Sequence, residues 1–332
     1  MPSSGKRNLI TDVDGLLVGN ATDENVATGV TVITCAERFT ASADVRGGAP
    51  GIRETETLNP ENLIGGADAI VLTGGSVFGL GAADGVATTL SSAGIGVRLR
   101  DKGPAVPIVP AAVLFDLQNE GDKNWDDNPP YDQLGREACH NAVADFDIGN
   151  VGAGRGAMAG IVKGGLGSAS ITLDDGITIG AIVAVNPVGS VFMPDGKTFY
   201  AKPWELGSEF GGGPSAAGFD VPDPFPALSR LGGTTKTGEN TVIAVVATDA
   251  DLSNAEARRM AMMAHDGIAR AVRPAHTPFD GDTIFSVATG RHAVNRSPES
   301  RALTVAAIGA ASADCLARAI ARGVYAARPV AR

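Results

Sequence analysis

Two segments of the chain, ITIGAIVAVNP (177–187) and TVIAVVAT (241–248), are apolar at odd and even positions alike. Successive side chains of a strand point to opposite faces, so such a run needs apolar cover on both sides. The sheet that holds them has no wet face, and helices or a second sheet must close over each side. Further strand-like runs fall at NLITDV (8–13), GVTVITC (29–35), AIVLTGG (69–75) and TIFSVAT (283–289), and helical periodicity falls at 78–93, 133–146, 254–272 and 298–322. The third helix opens on a capping box, Ser253 with Glu256, and the fourth on Ser297 followed by Pro298. Strands and helices do not alternate strictly. This argues against a simple doubly wound sheet and for an α/β fold of sheets stacked between helix layers. With aromatic residues at only 5%, the core is built from Ala, Val, Ile and Leu.

The charge balance excludes some partners. A formal net charge of −10 repels phosphate backbones and anionic membranes, so neither nucleic acid nor a membrane surface is expected as a partner. The opening MPSSGKRNLITDVDG has no apolar signal segment, and no run of 18 apolar residues occurs, so a cytoplasmic location is expected. Cys35, Cys139 and Cys315 are far apart and odd in number, which reads as reduced, buried thiols.

Familiar cofactor patterns do not fit. In LTGGSVFGLGAADG (72–85) the dinucleotide fingerprint fails, because Asp84 stands where its third glycine belongs and Gly85 comes one residue late. Those glycines lie in a helical pattern, where close packing explains them. His140, His265, His276 and His292 form no ligand-spaced pair, so no metal is expected, nor, with the fingerprint broken, a cofactor; and without a G-x-S-x-G elbow a conventional Ser-His-Asp triad has little support.

The segment 201–239 is dominated by Gly, Pro, Ser and Thr and shows no period, and a second polar excursion, 118–133, reads as a surface loop. A structureless stretch as long as 201–239 inside a domain is usually functional or disordered. It ends at Asn240, and Thr241 opens the apolar run. Thr suits both a turn and a strand, which is explanation enough on residue type alone. The alternative is that the chain is cut before Thr241, making it an N-terminal nucleophile. Three other places bear on that choice. Asp280-Gly281-Asp282 sets two carboxylates two residues apart before a strand, facing one way if the strand has begun, where they could hold an ammonium group; an ordinary Asp-Gly turn is the alternative. Asn186 ends an apolar strand before Pro187, as a turn-former or as an amide donor to an oxyanion. Lys163 lies between an apolar run and two glycines, as a solvated charge or as a stabiliser of negative charge.

Taken together, SADVRGGAPGIRETE (42–56), AIVLTGGSVFGLGAADGV (69–86), GNVGAGRG (149–156), VNPVG (185–189), GENTVIAVVATDA (238–250) and FDGDTIF (279–285) resemble blocks of the self-processing aminopeptidases and amidases. That family includes L-aminopeptidase D-esterase, β-peptidyl aminopeptidases and the 6-aminohexanoate-oligomer hydrolase. The blocks occur in family order over about residues 8 to 320. The resemblance implies a layered αββα fold like that of N-terminal-nucleophile hydrolases. It also implies a precursor that cleaves itself into residues 1–240 and 241–332, which stay associated, usually as homotetramers. Carried over by residue, it places the nucleophile on Thr241, the paired acids on Asp280 and Asp282, the strand-end amide on Asn186, the active-site lysine on Lys163 and the scissile bond at Asn240-Thr241. Where the nylon-oligomer hydrolase has a tyrosine in IYDF, this chain has Phe115 in LFDL, so a pocket hydroxyl is lost. The expected activity is hydrolysis of short peptides, amino-acid amides, β-peptides or ω-amino-acid oligomers. Acyl transfer of the ornithine acetyltransferase type and an unprocessed, non-catalytic binding protein are the rival readings.

Overall fold

The computed structural model describes residues 3–98, 100, 102–213, 225–232, 240–294 and 297–327. In chain order the strands are β1 (Leu16–Asp23), β2 (Thr28–Val45), β3 (Ile52–Arg53), β4 (Gly66–Thr73), β5 (Ala111–Val113), β6 (Met158–Ala159), β7 (Val162–Lys163), β8 (Gly165–Thr172), β9 (Thr178–Asn186), β10 (Thr241–Ala250) and β11 (Thr283–His292). The helices are α1 (Ala82–Ser92), α2 (Tyr131–His140), α3 (Asn254–Ala271) and α4 (Pro298–Ala327). Nine strands join one sheet in the order β3-β5-β4-β2-β11-β10-β9-β8, with β1 on β2, while β6 and β7 form a separate ribbon. Pairing is antiparallel except for β10 with β11 and β4 with β5.

The long strand β2 makes one sheet serve as two layers. Its first half pairs with β1 and β4, the register shifts between Thr34 and Phe39, and its second half pairs with β11. Inner residues of both halves, such as Ile33, Phe39 and Leu72 on one side and Ile182, Val245 and Phe285 on the other, meet in a single buried cluster. The opposite parity goes elsewhere: Val183, Val242, Ala244 and Val246 pack against α3 and α4, while Val30, Val32 and Val71 pack against α1 and α2. The order is therefore helix, sheet, sheet, helix, and it accounts for the two apolar runs, since each face of β9 and β10 borders a different core layer. The two expected sheets are joined by hydrogen bonds through β2.

Close approaches explain several glycines. A Cβ on Gly85 would lie 2.0 Å from the carbonyl of Asp132, and one on Gly135 would lie 2.2 Å from that of Ala82, so α1 and α2 cross in near-backbone contact. On the other face, a Cβ on Gly167 would meet the Ala319 carbonyl at 1.9 Å, which lets α4 lie directly on β8. α4 is apolar and long enough to cross a bilayer, yet it packs against β8, β9 and α3. The capping box at Ser253 forms as read, with Glu256 accepting from the Ser253 N–H at 2.8 Å.

Several local readings change. Residues 8–13 hold a 3-10 turn, Ile10–Asp12, instead of a strand. β8 was not anticipated, and α1 starts at Ala82 after a 3-10 segment, Ser76–Gly81. α2 ends at His140 where helical periodicity continued to 146. Cys139 is half-buried, whereas Cys35 and Cys315 are buried, and all three are free thiols. Of the segment 201–239, residues 214–224 and 233–239 lie outside the described residues, and the rest includes two short 3-10 turns, Lys202–Trp204 and Arg230–Gly232.

Candidate active site

The site forms where three strand ends meet. Thr241 opens β10 and stands opposite Asn186, the last residue of β9, in antiparallel register. Asn240 pairs in parallel with Asp280, just before β11 begins. All four of these residues are buried, as is Asp282.

The bond between Asn240 and Thr241 is held in a specific way. Gly281 donates its N–H to the Asn240 carbonyl at 3.0 Å. The Thr241 hydroxyl donates to the same oxygen. A Cβ on Gly281 would come within 2.8 Å of Thr241 Oγ1 and 2.7 Å of the Ala49 carbonyl, so only glycine fits between the two aspartates. An N–H donor on a carbonyl oxygen stabilises negative charge that develops there, and here a hydroxyl lies beside the same carbonyl.

The two carboxylates frame this bond without touching the Thr241 hydroxyl. Asp280 accepts from the Val188 N–H at 3.0 Å, the Thr277 N–H at 3.0 Å and the Thr277 hydroxyl at 2.6 Å. Asp282 accepts from the Val242 N–H at 2.8 Å, and on its other oxygen from the His276 N–H at 3.0 Å and Nδ1 at 2.7 Å. β11 begins at Thr283, after both aspartates, so the strand condition for a shared orientation is not met, and each carboxylate has its own set of partners. They still sense each other: burial, then the Asp282 charge, push the Asp280 carboxyl up to about 6. His265, whose ring lies 4.9 Å from that of His276, is pushed down to about 4 by burial.

Asn186 accepts from the Met158 N–H at 2.9 Å and donates to the Phe115 carbonyl at 3.3 Å. Phe115, with Pro50, Ile52, Val77, Leu80 and Thr241, lines a cleft of about 370 Å³, and the buried Asn186 amide holds the Phe115 carbonyl from behind it. The N–H on the Asn240 carbonyl belongs to Gly281, a role that reading the aspartates alone missed. Lys163 lies in the ribbon opposite Met158, but its ammonium turns to Glu120 at 3.3 Å, where Arg155 also binds. The structure thus gathers Asn186, Asn240, Thr241, Asp280 and Asp282, while the Lys163 ammonium pairs with Glu120.

Arg230 was also missed. It lies in the segment read as a featureless linker, and its guanidinium donates to Asn240 Oδ1 and, at 3.4 Å, to Asn186 Oδ1. No periodicity marks such a residue, because its partners come from distant parts of the chain.

The sequence pattern of peptidase family S58 matches residues 8–332. The chain belongs to that family. It is therefore a hydrolase of the aminopeptidase and amidase kind. A Mycobacterium bovis protein named "uncharacterized aminopeptidase" is 45% identical over 98% of this chain and 95% of its own. A 6-aminohexanoate-oligomer endohydrolase of Kocuria sp. is 31% identical over 95% of this chain and 85% of its own. The L-aminopeptidase D-Ala-esterase/amidase of Ochrobactrum anthropi superposes with a TM-score of 0.69 at 21% identity, covering 97% of this chain and 86% of its own. That structure is described as a variant of the Ntn hydrolase fold, and the layering described above agrees with it.

Proposed function

We propose that this S58 hydrolase processes itself between Asn240 and Thr241 and then uses Thr241 as an N-terminal nucleophile on amide bonds. The observation that carries the reading is the Asn240 carbonyl, held by Gly281 N–H with the Thr241 hydroxyl against it. In the self-cleavage step Thr241 Oγ adds to the Asn240 carbonyl carbon and the Asn240–Thr241 C–N bond breaks. The hydroxyl proton ends on the departing nitrogen, leaving an ester. Water then opens the ester, giving a carboxylate on Asn240 and a free α-amine and hydroxyl on Thr241.

Cleavage creates the base that an internal Thr lacks, because a free α-amine has an ordinary pKa of about 7.7 to 8.0 and accepts the hydroxyl proton near neutral pH. Asp282 already holds the next backbone N–H, at Val242, and with Asp280 it positions the new amine. Gly281 N–H and the Asn186 amide supply oxyanion donors, a role worth about 3 to 4 kcal/mol per donor in comparable sites. Lys163 contributes positive charge only after parting from Glu120, a partly exposed pair whose loss costs at most about 1 kcal/mol.

The substrates are short peptides, amino-acid amides, β-peptides or ω-amino-acid oligomers, whose acyl part enters the cleft beside Phe115. The names of the Kocuria and Ochrobactrum relatives support that range. The enzyme is proposed to work as a cytoplasmic homo-oligomer, a tetramer, without a cofactor. A panel of amino-acid anilides, β-dipeptides and 6-aminohexanoate oligomers tests the activity. Wild type should release amine from at least one class, Thr241→Ser should retain activity, and Thr241→Ala should have none. Turnover by Thr241→Ala at the wild-type rate would refute the assignment.

A further inference from the structure

We infer that Arg230 is a positioning residue for self-cleavage, acting from within the linker on the side chain of Asn240. The inference rests on Thr241 being the nucleophile, and it adds a device that holds the residue on the acyl side of the cleaved bond.

Arg230 is fixed at both ends. Its backbone N–H donates to the Val188 carbonyl at 2.9 Å, just past the end of β9. Its guanidinium donates from Nε to the Gly160 carbonyl at 2.8 Å and from Nη2 to the Met158 carbonyl at 2.8 Å. Nη1 donates to Asn240 Oδ1, and Nη2 reaches Asn186 Oδ1 at 3.4 Å. One planar fork thus joins the β6–β7 ribbon, the end of β9 and the scissile residue, which the single ammonium of a lysine could not do.

Arginine only donates, so Asn240 must turn its oxygen toward Arg230 and its NH2 away. That NH2 is buried and, among the described residues, has no hydrogen-bond partner. A buried donor without a partner costs stability, and an apolar residue would avoid the cost. The side chain at position 240 is therefore explained by its oxygen, and the oxygen by Arg230. With Arg230 on the side chain and Gly281 N–H on the carbonyl, Asn240 is held at two points, and its peptide plane has little freedom to turn away from Thr241 Oγ. Small misplacements of a reacting group cost up to about 100-fold in rate, so this clamp should appear in the rate of processing.

The test follows processing of the full chain over time by denatured mass, with Tm read alongside. Arg230→Gln should slow cleavage by about 10- to 100-fold, and Arg230→Lys should recover part of the rate. Asn240→Ala should be slow as well. Arg230→Gln added to Asn240→Ala should then slow cleavage by no more than about threefold further, because the Arg230–Asn240 contact is already gone. If Arg230→Gln lowers Tm, this double-variant comparison decides alone. Cleavage of Arg230→Gln at the wild-type rate would overturn the inference, and so would a full multiplicative slowing in the Asn240→Ala background. Thr241→Ala serves as the zero. Processing of that variant would count against the nucleophile itself, whatever Arg230 does.

Discussion

Two charged clusters in this molecule are built from similar groups and behave differently. In the Asp280–Gly281–Asp282 loop both carboxylates are 1% exposed, and each accepts three hydrogen bonds, mostly from backbone N–H groups. In the second cluster Glu120 is 52% exposed and pairs with Arg155 and Lys163. Its carboxyl is held below the usual range by the Arg155 hydrogen bond, an interaction that solvent and salt screen. Burial separates the two. In the first, charge is fixed in place and its loss leaves donors stranded in the interior; in the second, a lost partner is replaced by water.

The sharpest way to break this contrast is to intrude on the buried loop. Gly281→Ala forces a methyl against Thr241 Oγ1 and the Ala49 carbonyl, and processing should fall by at least about 100-fold, measured as the fraction of cleaved chain over time. Asp282→Ala strands the Val242 and His276 donors and should lower unfolding stability by about 3 kcal/mol in urea titration of the uncleaved Thr241→Ala chain.

Asp280 sharpens the comparison through pH. Its folded-state pKa, about 6, lies above its ordinary 3.8, so the native state binds the proton more tightly and the stability contributed by Asp280 falls as pH rises across that window. His265 works in the opposite direction: its folded value of about 4 lies below 6.5, so its contribution grows as pH rises from 4 to 6.5. The difference between Thr241→Ala and Thr241→Ala/Asp280→Asn isolates the first effect. The stability of the Asn variant relative to its parent should rise from pH 4 to pH 6 and level off above. The smallest effect belongs to the exposed cluster, where Glu120→Gln should change unfolding stability by less than about 1 kcal/mol and lose even that at high salt.

The layered fold was legible where pattern encodes burial. β9 and β10 are apolar at both parities because two cores flank them, which marks them as buried on both faces, and the lack of strict strand–helix alternation points to stacked layers. β8, GLGSASIT, carries no such signal, because its role is to let α4 approach closely, and small residues look like a loop. The NLITDV run misled because apolar residues in a buried 3-10 turn mimic a short strand. In the site, Thr241, Asn186, Asp280 and Asp282 were marked by standing at strand ends. Gly281 and Arg230 were not, since one acts through its backbone N–H and the other through contacts with residues 40 or more positions away as well as with Asn240. Lys163 was nominated by type and context, and only coordinates show its ammonium on Glu120.

The central claim is that the chain cuts itself before Thr241. The most direct measurement is the denatured mass of the purified protein, with N-terminal sequencing of any fragment. The account predicts two pieces, residues 1–240 and 241–332, the smaller one beginning with Thr, and an intact 33.6 kDa chain for Thr241→Ala. A wild-type protein that stays at 33.6 kDa under conditions where it hydrolyses amides would contradict it.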